Sequence, residues 1–232
     1  MQTPSEIIHA LQTALEKDTD INLHAYPITI SHPDRLRLEG MVENIIAKRK
    51  IRRIAVQLLG HADFEDHLYL ETGERRSDKA LLDALVDALS QEPAFRDVRV
   101  YAGKPEQPQA RQWIAAHASG CQVTLEGEVG SLSHRRLAEV TCWWVPGTGN
   151  VHNHLRVVPP EKDSDDEITD AVLMILEKDP LLRAENITPK THANTVTLNG
   201  YVHNREQARM AEYDCWYVPG VHDVIDQLRV SH

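Results

Sequence analysis

Histidine and cysteine are the side chains in this sequence that could bind a metal or act as nucleophiles. The 232-residue chain has thirteen histidines, and His152 and His154 stand two residues apart in a strand-like segment. Both imidazoles therefore share one face of the expected strand, where a third ligand would complete a transition-metal site. Two related segments of the chain do not repeat the pair, and no H-E-x-x-H motif is present. We predict no metal site.

The sequence carries no recognisable catalytic motif. Its three cysteines form no C-x-x-C pair, and Cys142 and Cys215 occupy positions suited to small core residues. There is no G-x-S-x-G motif and no P-loop. The glycine-rich stretch 147–150 follows an expected helix, which is the wrong order for a phosphate site at a helix N-terminus. We predict no catalytic residue and no cofactor, and an enzyme is the least favoured class.

Charge and hydropathy exclude further classes. Lys plus Arg number 25 and Asp plus Glu number 35, giving a net charge of −10. Such a chain is repelled by nucleic acid, which we exclude as a partner. No apolar run approaches the ~20 residues of a membrane-spanning helix. The N-terminal residues lack a basic and an apolar region, so we expect no signal peptide and a cytoplasmic location, or a periplasmic one if the N-terminus has been truncated.

An internal repeat determines the expected architecture. Residues 123–157 and 196–230 align without a gap at an offset of 73, and 17 of the 35 positions are identical. A weaker copy lies upstream at an offset of 87. Every copy has two glycines 20 residues apart, followed by a leucine eight residues later. The glycine pairs are Gly40 and Gly60, Gly127 and Gly147, and Gly200 and Gly220.

Each copy is preceded by an amphipathic segment and is expected to form helix, strand, strand, helix, strand. The predicted fold class is α+β, with three tandem αββαβ modules. Each module has a small mixed three-stranded sheet and two helices on one face. We place module 1 at 1–70, module 2 at 77–158 and module 3 at 164–232. Module 2 has an insert near 101–119, expected to be a proline-rich loop followed by one or two helical turns.

The paired glycines have expected structural roles. Gly127 and Gly200 lie on the apolar face of the second strand of their modules, so we expect a helix to cross them closely or the strand to bulge. Gly147 and Gly220 end Val-Pro-Gly segments, where proline stops a helix and glycine takes the left-handed conformation. Asp66, Asn153 and Asp226 recur at one position of an apolar row, where we expect the side chain to bond to backbone.

These glycine positions and the V-T-L-x-G-x-V segments resemble the BON domain, a bacterial module of osmotically inducible envelope proteins and haemolysin-like lipoproteins. Module 3 is the closest match, module 2 is close with an insert, and module 1 is degenerate. The resemblance implies an αββαβ fold without catalytic residues. It also implies contact with phospholipid or other envelope components, often in stress protection. BON chains of that kind usually carry an export signal, which is not seen here.

The second helix of module 1 carries the one dense basic patch of the chain. We call it the basic helix face: Lys48, Arg49, Lys50, Arg52 and Arg53. At 100° per residue we place these side chains away from Ile51, Ile54 and Ala55. The face either docks on an anionic surface, such as phospholipid headgroups, or is a solvated face paired with acids elsewhere.

The second helices of modules 2 and 3 have an apolar stripe where module 1 is basic. We call it the aromatic stripe: Leu137, Val140, Trp143, Trp144, Met210, Tyr213, Trp216 and Tyr217. A helix that is apolar on two sides must bury both or expose a patch. The stripe therefore packs between modules or within a homodimer, or it forms a partner or lipid interface.

The sequence thus favours a non-catalytic binding protein. The first candidate function is contact with a phospholipid surface or envelope component, with a link to stress. The alternative is a cytoplasmic scaffold that binds another protein through the aromatic stripe. A homo-oligomer is left open.

Overall fold

A computed structural model describes residues 3–32, 34–60 and 63–231. The helices are α1 Pro4–Leu15, α2 Ile45–Leu59, α3 Asp78–Gln91, α4 Leu132–Trp143, α5 Asp165–Lys178 and α6 Arg205–Tyr217. The strands are β1 Thr29–Ser31, β2 Arg37–Val42, β3 Glu65–Leu70, β4 Arg99–Ala102, β5 Trp113–Ser119, β6 Gln122–Val129, β7 Asn150–Val157, β8 Ile187–His192, β9 Thr195–Val202 and β10 Asp223–Val230. Short 3₁₀ turns lie at Pro93–Phe95 and Ala184–Asn186.

The sheets have the predicted mixed topology. Their strand orders are β1-β2-β3, β4-β5-β6-β7 and β10-β9-β8. In each sheet a hairpin pairs two strands antiparallel, and the strand after the second helix of the module returns parallel to its neighbour. The α+β class and the three αββαβ modules are confirmed, although the second sheet has one strand more than predicted.

Every α-helix begins at a residue whose side chain caps it. The capping side chain accepts a hydrogen bond from the amide three residues later, which satisfies one of the free N–H groups of the first turn. The six capping residues are Thr3, Asn44, Ser77, Ser131, Ser164 and Asn204. Helix α2 ends at Gly60, which is left-handed with φ +74° and donates its amide proton to the Val56 carbonyl.

The helical turns expected within the insert of module 2 are wrong. Residues Trp113–Ser119 form strand β5, which pairs antiparallel with β6 along its whole length. Ile114, Ala116 and Ala118 are buried on one face of the strand, and Ala115 is buried on the other. The helix propensity of the alanines is overridden by this pairing. The extra strand is β4, which lies parallel to β5 at the sheet edge.

Gly127 is approached by the backbone of β5, and Gly200 by the backbone of the 3₁₀ turn that leads into β8, rather than by a crossing helix. A Cβ atom on Gly127 would overlap the carbonyl oxygen of Trp113, and one on Gly200 would overlap that of Asn186. Both glycines have positive φ, at +144° and +126°. Gly147 and Gly220 also have positive φ, but they lie beyond the helix ends rather than at the cap.

The contacts divide the chain into two compact units, one ending at Glu71 and the other beginning at Thr72. The first unit is module 1, with buried side chains that include Leu11, Leu38, Ile51 and Leu68. The second unit holds modules 2 and 3 around one continuous core that reaches from α3 to α6. The module boundaries within that unit stay a prediction, since its two modules are not separate bodies.

Replacing Gly127 with alanine should destabilise the second unit strongly. The new methyl group meets a strand carbonyl that cannot move without breaking the β5–β6 ladder, so we expect a loss of about 3 kcal/mol or more in the free energy of unfolding. Gly120→Ala is the matched control, because Gly120 also has positive φ but nothing lies within 4 Å of its added Cβ. It should lose only about 1 kcal/mol. Equal losses in denaturant titrations would contradict the assigned contact.

Candidate functional site

The basic helix face is largely engaged inside module 1. Lys48 lies on the buried side of α2, contrary to its predicted placement, and its side chain is only 4% exposed. Its Nζ donates to Asp66 Oδ1 at 3.1 Å and to the Leu68 carbonyl at 2.6 Å. The reason is visible in the spacing: Lys48, Ile51 and Ala55 are i, i+3 and i+7 and so share one helix face.

Other cations of this face also have partners. Arg52 donates to Asp66 Oδ2 at 2.8 Å, and Lys50 pairs with Asp18 and Asp20. Arg49 and Arg53 also interact with other groups of the protein. The charge of α2 is therefore balanced in large part by carboxylates of its own module. Docking of an anionic partner here stays a prediction.

Asp66 shows why the recurrent polar position matters. Its Oδ1 accepts the Leu68 amide, Asn153 Oδ1 accepts the Leu155 amide, and Asp226 Oδ1 accepts the Leu228 amide. This confirms the predicted bond to backbone in all three modules. Burial alone would raise the pKa of Asp66, but Lys48, Arg52 and the Leu68 amide outweigh it, so that pKa is lowered. Burial lowers the pKa of Lys48 to about 8 despite the attraction of Asp66.

The aromatic stripe serves mainly to join modules 2 and 3. Leu137, Val140, Trp143 and Trp216 are buried. Met210 and Tyr217 pack against the shared core, and the Trp143 and Tyr217 rings lie 6.3 Å apart between α4 and α6. Packing between modules therefore accounts for most of the stripe. Trp144 and Tyr213 remain exposed, at 38% and 39%.

A cleft lies beside the exposed Trp144. We call it the Trp144 cleft, and its volume is about 230 Å³. It is lined by Trp144, Lys178, Asp179, Pro180 and Asp214. The end of α4 thus meets the end of α5 and the middle of α6. Sequence reasoning missed the two aspartates. Asp214 could have been noticed, since Ala211, Asp214 and Val218 are i, i+3 and i+7 and place a carboxyl on the buried face.

Asp214 is the most perturbed carboxyl of the cleft. It is 7% exposed, and its Oδ2 accepts no hydrogen bond from any residue that the structure describes. Burial, and then the neighbouring Asp179 carboxyl, raise the pKa of Asp214 from 3.8 to about 8. A carboxyl with this pKa is mainly protonated at neutral pH.

A second polar group joins the two modules at Arg136, which sequence analysis also missed. Its Nε donates to the Pro219 carbonyl at 2.9 Å, and another guanidinium nitrogen donates to Asp163 at 2.6 Å. The side chain is buried beside a cavity of about 180 Å³. The repeat did not indicate this role of Arg136. The matching residue, Arg209, is exposed and bonds to Glu206 on its own helix.

The fold places His152 and His154 side by side and buries Cys142 and Cys215. His152 and His154 stack with ring centroids 6.5 Å apart, and His152 Nε2 lies 3.1 Å from the Asn150 amide nitrogen. Among residues 3–32, 34–60 and 63–231, no set of three His, Cys, Asp or Glu side chains could hold a metal ion. Cys142 and Cys215 are fully buried in the shared core, and burial raises the pKa of both thiols.

Comparison with protein families shows to which family the chain belongs. Residues 108–159 and 164–232, together more than half of the sequence, match the BON domain. The chain belongs to the BON domain family, whose members are generally binding modules rather than enzymes. A search of the curated proteins found no match. In the described part of the chain, no helix combines the length and apolarity required to span a membrane.

Solved structures give only weak similarities. Two chains of CdsD, a structural protein of the type III secretion system of Chlamydia trachomatis, match with 14% and 13% identity. The first match covers 97% of this chain and 92% of that chain at a TM-score of 0.26, and the second covers 100% of each at 0.27. The PrgH periplasmic domain matches with 10% identity over 88% of this chain and 95% of its own, at 0.24. Scores this low carry no argument.

The raised pKa of Asp214 predicts a pH-dependent stability. A carboxyl with a higher pKa in the folded state stabilises the protein fully below its unfolded pKa, and this contribution is lost as the pH rises through the folded pKa. Between about pH 4 and pH 8 the free energy of unfolding should fall by on the order of a few kcal/mol because of Asp214. Asp214→Asn should remove that fall.

The measurement is denaturant unfolding of both proteins across this pH range. Asp170→Asn is the matched control, since Asp170 is an exposed aspartate of α5 in the same unit. It should leave the slope unchanged. Parallel curves for wild type and Asp214→Asn would contradict the perturbation.

Proposed function

We propose that this BON protein is a non-catalytic scaffold that binds a partner protein through the body formed by modules 2 and 3. The observation that carries the proposal is the Trp144 cleft. Most of the aromatic stripe is consumed in joining the modules, yet Trp144 stays exposed beside Pro180 and two carboxyls. An exposed indole next to polar groups is typical of the centre of a protein interface.

Contact with phospholipid is the second candidate, supported by the family to which the chain belongs. It would use the basic helix face as the anionic-partner site. Against it stand the net charge of −10 and the internal pairing of Lys48, Lys50 and Arg52. Charges already paired add little attraction to an anionic surface. The cytoplasmic location and the link to stress stay predictions.

Photo-crosslinking in cells tests the scaffold function. With p-benzoylphenylalanine in place of Trp144, irradiation should yield a discrete adduct with another protein. Tyr201 is the matched control position, because it is an exposed aromatic residue on β9 of the same unit. Substitution there should not give that adduct. Absence of an adduct at position 144, the same adduct at both positions, or an adduct of two copies of this chain would contradict the proposal.

Sedimentation with phosphatidylglycerol vesicles at low salt tests the lipid candidate separately. The scaffold proposal predicts that the protein stays in the supernatant. Binding that disappears in the double variant Arg49→Glu, Arg53→Glu would instead assign the function to the basic helix face.

A further inference from the structure

Asp179 and Asp214 are two neighbouring carboxyls of the Trp144 cleft, which Lys178 also lines. No lysine or arginine in the described residues forms a salt bridge with Asp179 or Asp214. The nearest candidate, Lys178, is directed elsewhere, since its Nζ donates to Glu92 Oε1 at 2.6 Å. Asp179 Oδ1 accepts the amide of Leu181, at 2.8 Å, and the Asp179 side chain also hydrogen-bonds to Asp214. Two neighbouring carboxyls are unfavourable when both are ionised, and a cation placed between them would relieve the repulsion.

Asp214 is the buried member of this acidic pair. It is more than nine-tenths buried, it lines the cleft, and its Oδ2 accepts no hydrogen bond from the described residues. Buried polar atoms without a partner are rare in folded proteins, because an unmade hydrogen bond costs free energy. An N–H donor entering the cleft would satisfy this carboxyl.

Trp144 gives the cleft its second property. Its indole is 38% exposed and forms one wall, with Pro180 beside it. An indole attracts a cation at its face and the alkyl chain of the same ligand by apolar contact. A volume of about 230 Å³ is enough for one extended side chain but small for a typical organic ligand.

We propose that the Trp144 cleft binds the ammonium or guanidinium group of one lysine or arginine side chain of the partner protein. Asp179 and Asp214 take the cation, and Trp144 covers the alkyl part of the side chain. The inference rests on the proposed scaffold function and names the chemistry of its contact.

The charged groups around Asp214 set the expected pH dependence. Asp179 faces it from the end of α5, and Lys178 is held by Glu92. On α6 itself, Asp214 also acts on Cys215 and Tyr217. Trp144, which directly follows α4, lines the cleft from module 2. Because a cation favours the ionised form of Asp214, cation affinity should rise with pH through the pKa of this carboxyl, and binding should release a proton.

The test uses the full chain and two defined probes, the Nα-acetyl-N-methylamides of lysine and arginine. The corresponding derivative of norleucine is the neutral control, because it keeps the alkyl chain and lacks the charge. Binding is followed by NMR through the indole N–H of Trp144, assigned by comparison with Trp144→Phe. We expect a saturable shift with at least one cationic probe and none with norleucine.

Variants of the chain test whether Asp214 is a carboxyl that binds the cation. Asp214→Asn should weaken the cationic probe about tenfold and remove the rise in affinity between about pH 6 and pH 9. Asp170→Asn, which removes the same charge from the exposed face of α5, should bind as wild type does. Loss of the pH dependence distinguishes a direct contact with Asp214 from a general loss of structure.

Three results would overturn the inference: no saturable shift with either cationic probe, an equal shift with norleucine, or unchanged affinity in Asp214→Asn. If one of these results is obtained together with a crosslinked protein at position 144, the scaffold function stands. Only the binding of a cationic side chain in the cleft is then overturned. Probe binding without a crosslinked protein would instead overturn the assignment to a partner side chain and assign the cleft to a free organic cation.

Discussion

The hydrophobic contact between α4 of module 2 and α5, the first helix of module 3, is the constraint on which the second unit depends. Helix α4 is apolar on two sides, and one side packs on its own sheet. The other side, with Leu137 and Val140, must be buried elsewhere, and α5 of the next module packs against α4. Each buried leucine or valine contributes on the order of 2 kcal/mol, which a small module standing alone would lack.

This packing explains both the unit boundaries and the cleft. In module 1, the outer side of α2 carries Lys50 and Arg52, whose cations bond to Asp18, Asp20 and Asp66, so this side is charged rather than apolar. Module 1 accordingly forms a unit by itself. Trp144 directly follows α4 and stays exposed in the cleft that Asp179 and Asp214 also line. The candidate site is thus a product of the junction, since neither module contains it alone.

Much of the fold could be predicted because repeated spacing reports repeated geometry. The glycine pairs and the Val-Pro-Gly segments indicate the αββαβ order of helices and strands from the sequence alone. Strand β5 could not be predicted in the same way, since its alanines favour a helix locally and only pairing with β6 makes them a strand. For Gly127 the sequence predicts a crossing helix or a strand bulge, because it shows that space is needed without showing which backbone needs it.

The site was harder to predict than the fold. The aromatic stripe was recognised, but its division between buried and exposed members depends on where the neighbouring module sits. Lys48 and Asp214 both followed helical spacing onto a buried face, so burial of their charges could have been noticed. Their partners could not, because Asp66 and Asp179 come from distant parts of the chain and meet them only in the folded protein.

Native-state hydrogen exchange of the full chain tests the central claim, that modules 2 and 3 share one cooperative core. Amides of α4 and α6 should open with the same free energy, and Leu137→Ala should lower both by the same amount, about 3 kcal/mol. The account is contradicted if the α6 amides open at a lower free energy of their own, or if Leu137→Ala affects α4 and leaves α6 unchanged.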